Sequence, residues 1–119
     1  MSPETKEDVV INNLEAVPAQ RFTKRGAVNV EVQDLIGESQ GSGHAVLRRF
    51  TIQKDGHTHL DEHEYEHIVY VLKGHGILRK EKDQLALRPG DTVFIRSNVR
   101  HEFANQRADP LVYLLLNLF

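Results

Sequence analysis

The sequence predicts an all-β fold, a sandwich or barrel of short strands, on three observations. Apolar positions alternate with polar ones, turn signals return roughly every ten residues, and no stretch combines helical spacing with caps. Val28, Val30 and Val32 alternate with Asn29, Glu31 and Gln33, the pattern of a half-buried strand. Glu38 to Gly43 is a Gly/Ser-rich turn, Ala45 to Ile52 a strand, and Lys54-Asp55-Gly56 a further turn signal. His67 to Leu72 is a continuous apolar run that ends at Gly74. Gly76 to Arg79 and Gln84 to Leu87 flank a hairpin turn at Glu81-Lys82-Asp83. After the turn at Pro89-Gly90-Asp91 come strands at Thr92 to Ile95, His101 to Asn105 and Leu111 to Phe119.

The first 20 residues carry scattered apolar positions and Pro18, which opposes a continuous helix. Residues 1–25 are therefore expected to form an arm that adds an edge strand. The last strand is apolar on both faces, unlike a strand with one face in water. It is expected either inside a sheet or at a subunit interface, and a homodimer is favoured because two-fold dimers are the commonest oligomers.

The 119 residues suit one domain, with 39% hydrophobic and 27% charged residues, an ordinary globular composition. A net charge of −2 without basic clusters argues against a nucleic-acid partner. The apolar run Leu111 to Leu116 is too short to span a bilayer, and the polar start lacks a secretory pattern. A cytoplasmic protein with neither nucleic-acid nor membrane partner is expected. With no cysteine, a metal site would have to use imidazole and carboxylate, which suits Fe, Mn, Ni, Cu or Zn.

Of the seven histidines, His57, His59, His63 and His67 fall within eleven residues. Residues two apart on an extended chain share a face, so Asp61 and His63 can project together. His67 opens a strand on the phase that carries Val69 and Val71 inward, and His101 opens another with Phe103 and Asn105 on its face. Three imidazoles and a carboxylate can thus converge from two neighbouring strands, with coordination positions left for water or substrate.

The spacings are Asp61-x-His63-x3-His67-x6-Gly74 and Gly90-x5-Arg96-x-Asn98-x2-His101-x3-Asn105, with fifteen residues between Gly74 and Gly90. They resemble the two motifs of the cupin superfamily, G-x5-H-x-H-x3–4-E-x6-G and G-x5-P-x-G-x2-H-x3-N, in its small single-domain branch. The stretch Tyr65 to Gly74 is similar to the branch whose fourth ligand is histidine in place of glutamate. The resemblance covers about residues 45–116. It implies a double-stranded β-helix (jelly-roll) barrel over a single domain, and one divalent transition metal ion held by Asp61, His63, His67 and His101. Asp61 stands where the family has its first histidine, Arg96 where it has proline, and Asn98 where it has the middle glycine. Asn tolerates the positive φ of such a turn. Two alternatives stay open: a three-histidine site with an added water, and a register that uses His57-x-His59.

His57, His59 and His75 are expected at the surface or pocket rim, and His44 without a role. Gly74 and Gly90 are expected in tight turns, and Tyr65, Tyr70 and Phe103 in the core. Glu66 is a candidate to orient a ligand imidazole, and Arg49 and Arg96 are candidates for an anionic substrate. The resemblance implies a metal-dependent enzyme acting on a small organic molecule, with an iron or manganese oxygenase slightly favoured. A sugar isomerase or uronate-processing enzyme, and a non-catalytic ligand- or metal-sensing barrel, are the alternatives.

Overall fold

Alternation of apolar and polar side chains builds the regular structure of this chain almost entirely from strands. A computed structural model describes residues 8–119; the polar stretch 1–7 lies outside the described residues. The strands are β1 (Gln20–Arg21), β2 (Val28–Ile36), β3 (Ala45–His57), β4 (Glu66–Lys73), β5 (Gly76–Lys80), β6 (Asp83–Leu87), β7 (Thr92–Ile95), β8 (Glu102–Ala104) and β9 (Leu111–Leu118). Two short 3-10 turns, Leu14–Ala16 and Glu38–Gln40, complete it. The strands join in the order β6-β5-β8-β3-β9-β4-β7, with β2 also on β3 and β1 on β2. This antiparallel sheet curls on itself into a jelly-roll half-barrel. Among the described residues no helix is long and apolar enough to cross a membrane.

The concave face holds the core. Ile52, Val69, Val71, Leu111, Tyr113 and Phe103 are almost wholly buried, each contributing roughly 1.5–3 kcal/mol through removal of apolar surface from water. Tyr113 stacks on Phe50 at 5.5 Å between ring centroids and meets Phe103 at 4.6 Å. β9 runs between β3 and β4. Its internal position accounts for the apolar residues on its inner face, while Leu114, Leu116 and Leu118 on the other face are half-buried.

The arm does add an edge strand: β1 pairs with β2, Gln20 opposite Val32 and Arg21 opposite Glu31. Gln33 anchors it, donating from its amide to the Val17 carbonyl at 2.8 Å and accepting from Arg49 Nη1 at 2.9 Å. Arg49 is thus engaged beneath the arm.

Two sequence expectations need correction. Lys54-Asp55-Gly56 does not reverse the chain but lies inside β3. The pairing jumps from Val30 opposite Ile52 to Val28 opposite His57, and Asp55 takes φ 60°, so the turn signal encodes a bulge. A Cβ on Gly56 would stand 2.7 Å from the Val28 carbonyl oxygen, so only glycine fits this approach. The strands that carry His67 and His101 are also not neighbours. β3 and β9 lie between β4 and β8, and the curl of the sheet brings their ends together.

Gly74, in the β4–β5 turn, has φ +79°, and a Cβ there would lie 2.2 Å from the Pro110 carbonyl oxygen. Gly74→Ala is expected to destabilise the fold by roughly 2–4 kcal/mol, adding backbone strain to a clash with main chain. Urea unfolding checks this, and a change within experimental error would refute the turn geometry.

Candidate metal centre

At one end of the curled sheet the inward columns turn from apolar to polar. On β4 the column Val71, Val69 ends in His67; on β9 the column Leu111, Tyr113, Leu115 ends in Asn117. Strand alternation alone puts these side chains on one face, and the pairing of His67 with Asn117 makes them cross-strand neighbours. His101 enters from the start of β8. Its N–H donates to the Asp61 carbonyl at 3.0 Å, and the Asp61 N–H donates back to the His101 carbonyl at 2.9 Å. Thr58 repeats the clamp, donating its N–H to the Phe103 carbonyl at 2.8 Å and accepting the Phe103 N–H on Oγ1 at 2.9 Å. The segment 58–63 is thereby fixed over the barrel end, and its alternate residues His59, Asp61 and His63 all line the pocket.

The result is a cavity of about 90 Å³. The rings of His63 and His67 lie 5.3 Å apart between centroids, and those of His67 and His101 5.1 Å. Asp61 Oδ2 stands 3.0 Å from His59 Nε2 and also contacts His63 Nε2. Tyr65 stacks on His63 at 4.3 Å. The sequence-predicted set Asp61, His63, His67 and His101 therefore shares one cavity. Among the described residues, however, no three or more His, Asp or Glu side chains stand in an arrangement that holds a metal ion. Asp61 stands between His59 and His63, its Oδ2 facing the Nε2 of each.

Hydrogen bonding fixes which nitrogen of each buried histidine faces the cavity. His101 Nδ1 lies 2.8 Å from the Val99 carbonyl, which can only accept, so Nδ1 carries the proton and Nε2 keeps its lone pair. His67 Nδ1 lies 2.7 Å from Asn117 Oδ1, giving the same tautomer. His67 Nε2 is buried and has no hydrogen-bond partner. Burial, with the neighbouring His101 adding to it, lowers the His67 pKa to about 4, although the Asn117 hydrogen bond opposes the shift. Burial likewise lowers that of His101, against the pull of the Val99 carbonyl. Both are neutral at pH 7, the form that donates a lone pair. Burial raises the Tyr65 and Tyr113 pKa values, so both phenols stay protonated donors; the Asp61 carboxylate adds to the shift at Tyr65.

The structure redistributes several other expected roles. Asn117, not Glu66, orients His67. His59 lies in the pocket, whereas His57 turns its Nδ1 to the Thr58 carbonyl at 3.0 Å, so the His57-x-His59 pair does not enter together. Tyr65 lines the cavity and is not a core residue. Arg96 lies 6.0 Å over the Phe94 ring, away from the pocket, while Arg48, Lys24 and Phe22 line it. Asn117 could have been read from the sequence, being the one polar residue in the run Leu111 to Phe119. Asn98 adopts φ 65°, as a residue replacing glycine in that turn must. Asn105 ties down the approach to β9, donating to the carbonyls of Ile52 at 3.0 Å and Asp109 at 2.8 Å.

The family described as Cupin domain matches residues 48–117. No curated protein matches the chain. Among solved structures, the polyketide cyclase RemF from Streptomyces resistomycificus is 25% identical with a TM-score of 0.85, over 91% of this chain and 78% of that one. A predicted oxalate decarboxylase from Thermotoga maritima is 20% identical with a TM-score of 0.84, over 92% of this chain and 98% of that one. A sugar phosphate isomerase from Silicibacter pomeroyi is 15% identical with a TM-score of 0.75, over 90% and 74% of the two chains. Cupins commonly bind a transition metal.

The His67 shift makes stability depend on pH. Folded, His67 stays neutral down to about pH 4; unfolded, it takes a proton near 6.5. Between these values the unfolded chain binds more protons, so stability falls as pH drops from about 6.5 to 4 and the effect levels off below. For chelator-treated protein the His67 share is on the order of 3 kcal/mol. Urea unfolding across this range should show the slope reduced by about that amount in His67→Gln, and an unchanged slope would refute the assignment.

Proposed function

Because this chain belongs to the cupin family, we propose that its pocket holds one divalent transition metal ion and that the protein is a metal-dependent enzyme acting on a small organic molecule. The ligands in this reading are His63, His67 and His101, with Asp61 as the carboxylate. The observation that carries it is the bare, buried Nε2 of His67, its other nitrogen held by Asn117. A lone pair placed in a cavity without a partner is costly unless something takes it. His101, its Nδ1 likewise held by a carbonyl, keeps its Nε2 lone pair as well.

Asn117 and the Val99 carbonyl orient the two rings, as partners of metal-bound imidazoles do. His59 stands beside Asp61, its Nε2 3.0 Å from Oδ2. When bound, a divalent ion in such a site would polarise a carbonyl, activate water or bind dioxygen. The chain's own groups supply the rest: protonated phenols of Tyr65 and Tyr113 as hydrogen-bond donors, and aromatic walls from Phe22, Phe50 and Phe103 that limit water. Imidazole-rich sites with open positions suit redox metals, which favours an iron or manganese oxygenase. An isomerase acting on a sugar or uronate, and a sensing barrel without turnover, use the same pocket. Dioxygen consumption and product analysis separate the three. The reading assumes a cytoplasmic setting.

Metal analysis of untagged protein and titration with Co(II) test the centre. One ion per chain is expected, with loss of uptake in His63→Ala and His101→Ala. Asn117→Leu is expected to weaken affinity 10–100-fold. No uptake of Mn, Fe, Co, Ni, Cu or Zn would sink the reading.

The homodimer is likewise a proposal. Ile68, Tyr70 and Phe94 are 40–53% exposed, and Ile68 pairs directly with Phe94 across β4 and β7. An apolar sheet face of this kind suits a second copy of the chain. Sedimentation equilibrium should give a dimer that Tyr70→Lys with Phe94→Lys converts to monomer; a monomeric parent protein would refute it.

A further inference from the structure

The pocket carries two cations for which metal binding has no use. Arg48 lies on β3 in phase with Phe50 and Ile52, opposite Asp34 on β2 and Leu115 on β9. Its side chain therefore belongs to an inward column, where a guanidinium is costly unless its charge and donors are answered. Asp34 answers only part: its Oδ1 stands 2.9 Å from Arg48 Nε, and its side chain is 63% exposed against 35% for Arg48. Arg48 Nε is itself buried and makes no hydrogen bond, and among the described residues no hydrogen bond takes the terminal amino groups. The Arg48 charge is felt across the cavity at the Tyr65 phenol, where it opposes the effect of Asp61. Lys24, in the segment between β1 and β2, lines the same cavity and has no ion pair among the described residues. Two residues before it, Phe22 packs edge-on against Phe50 at 5.2 Å and lies 5.7 Å from the His59 ring. The arm thus carries one aromatic wall and one cation to the pocket.

We propose that the pocket selects a small organic carboxylate, its anionic end taken by Arg48 and Lys24 and its apolar body lying against Phe22 and Phe50. The other end of such a molecule faces the histidines. The planar guanidinium fork matches a carboxylate in two parallel hydrogen bonds, and the ammonium adds a mobile point charge. A cavity of about 90 Å³ that opens to solvent on one side suits a small acid. This inference names the substrate class of the proposed metal centre and rests on that reading for its catalytic meaning. The charge argument concerns Arg48 and Lys24, so the two can fail separately.

Calorimetry at pH 7.5 and low salt, on chelated and on Co(II)-loaded protein, tests it with benzoate and its neutral isostere benzamide. Benzoate is expected to bind at least tenfold tighter than benzamide. Arg48→Gln and Lys24→Gln should each weaken benzoate about tenfold or more and leave benzamide within about twofold. Lys80→Gln, exposed on β5, should change neither. Arg48→Lys, which keeps the charge, should fall between Arg48→Gln and the parent, and Lys24→Gln carries the test should Arg48→Gln misfold. Equal binding of benzoate and benzamide, or benzoate affinity unaltered in folded Arg48→Gln and Lys24→Gln, overturns the proposal, as does phenyl phosphate binding tighter than benzoate. Co(II) uptake, read from its visible spectrum, is scored independently. Benzoate selectivity without Co(II) uptake would sink the metal centre alone, and Co(II) uptake without selectivity would sink the carboxylate alone.

Discussion

The hydrogen bond between His67 Nδ1 and Asn117 Oδ1 is the interaction on which the pocket depends. It joins two adjacent inward columns at the point where they cease to be apolar. It also decides what the buried imidazole can do, because the nitrogen left over keeps a lone pair that no protein group takes. A buried polar atom without a partner is rare in a folded chain and invites a functional explanation. Were Asn117 replaced in the same column by another leucine, the barrel would gain apolar core and His67 would lose the constraint on its tautomer.

Around that bond the pocket is organised by charge. Neutral, desolvated imidazoles lie at the base, held uncharged by burial and by one another. Asp61 supplies a negative charge beside His59 and His63, while Arg48 and Lys24 bring positive charge to the same lining. Tyr65 registers both influences, Asp61 pushing its pKa up and Arg48 pulling it down. Such separation is possible only because the segment 58–63 cannot drift. The reciprocal backbone bonds of Asp61 with His101, and of Thr58 with Phe103, fix it to β8.

The curled sheet makes this arrangement compatible with stability. Below the polar end, the strands contribute a continuous apolar interior from Val69 through Tyr113 to Phe103. Beyond the bulge at Asp55 and Gly56 the long strand β3 ends at His57, which pairs with Val28 of β2 on one side and with Ala104 of β8 on the other.

Much of this was legible in the sequence because strand periodicity is local. Alternation placed Val69, Val71 and His67 on one face, and Asp61 and His63 on another common face, whatever the rest of the chain did. The two spaced motifs pointed to the barrel and to four residues that do share its cavity. What sequence alone could not decide depends on contacts between distant segments. Asn117 meets His67 across fifty positions of chain, Arg48 faces inward only through the register of β2, β3 and β9, and Phe22 with Lys24 reach the pocket only because the arm pairs with β2. The turn signal at Lys54-Asp55-Gly56 is ambiguous for the same reason. A left-handed residue beside a glycine encodes a local bend, and only the partner strand determines whether that bend reverses the chain or bulges within it.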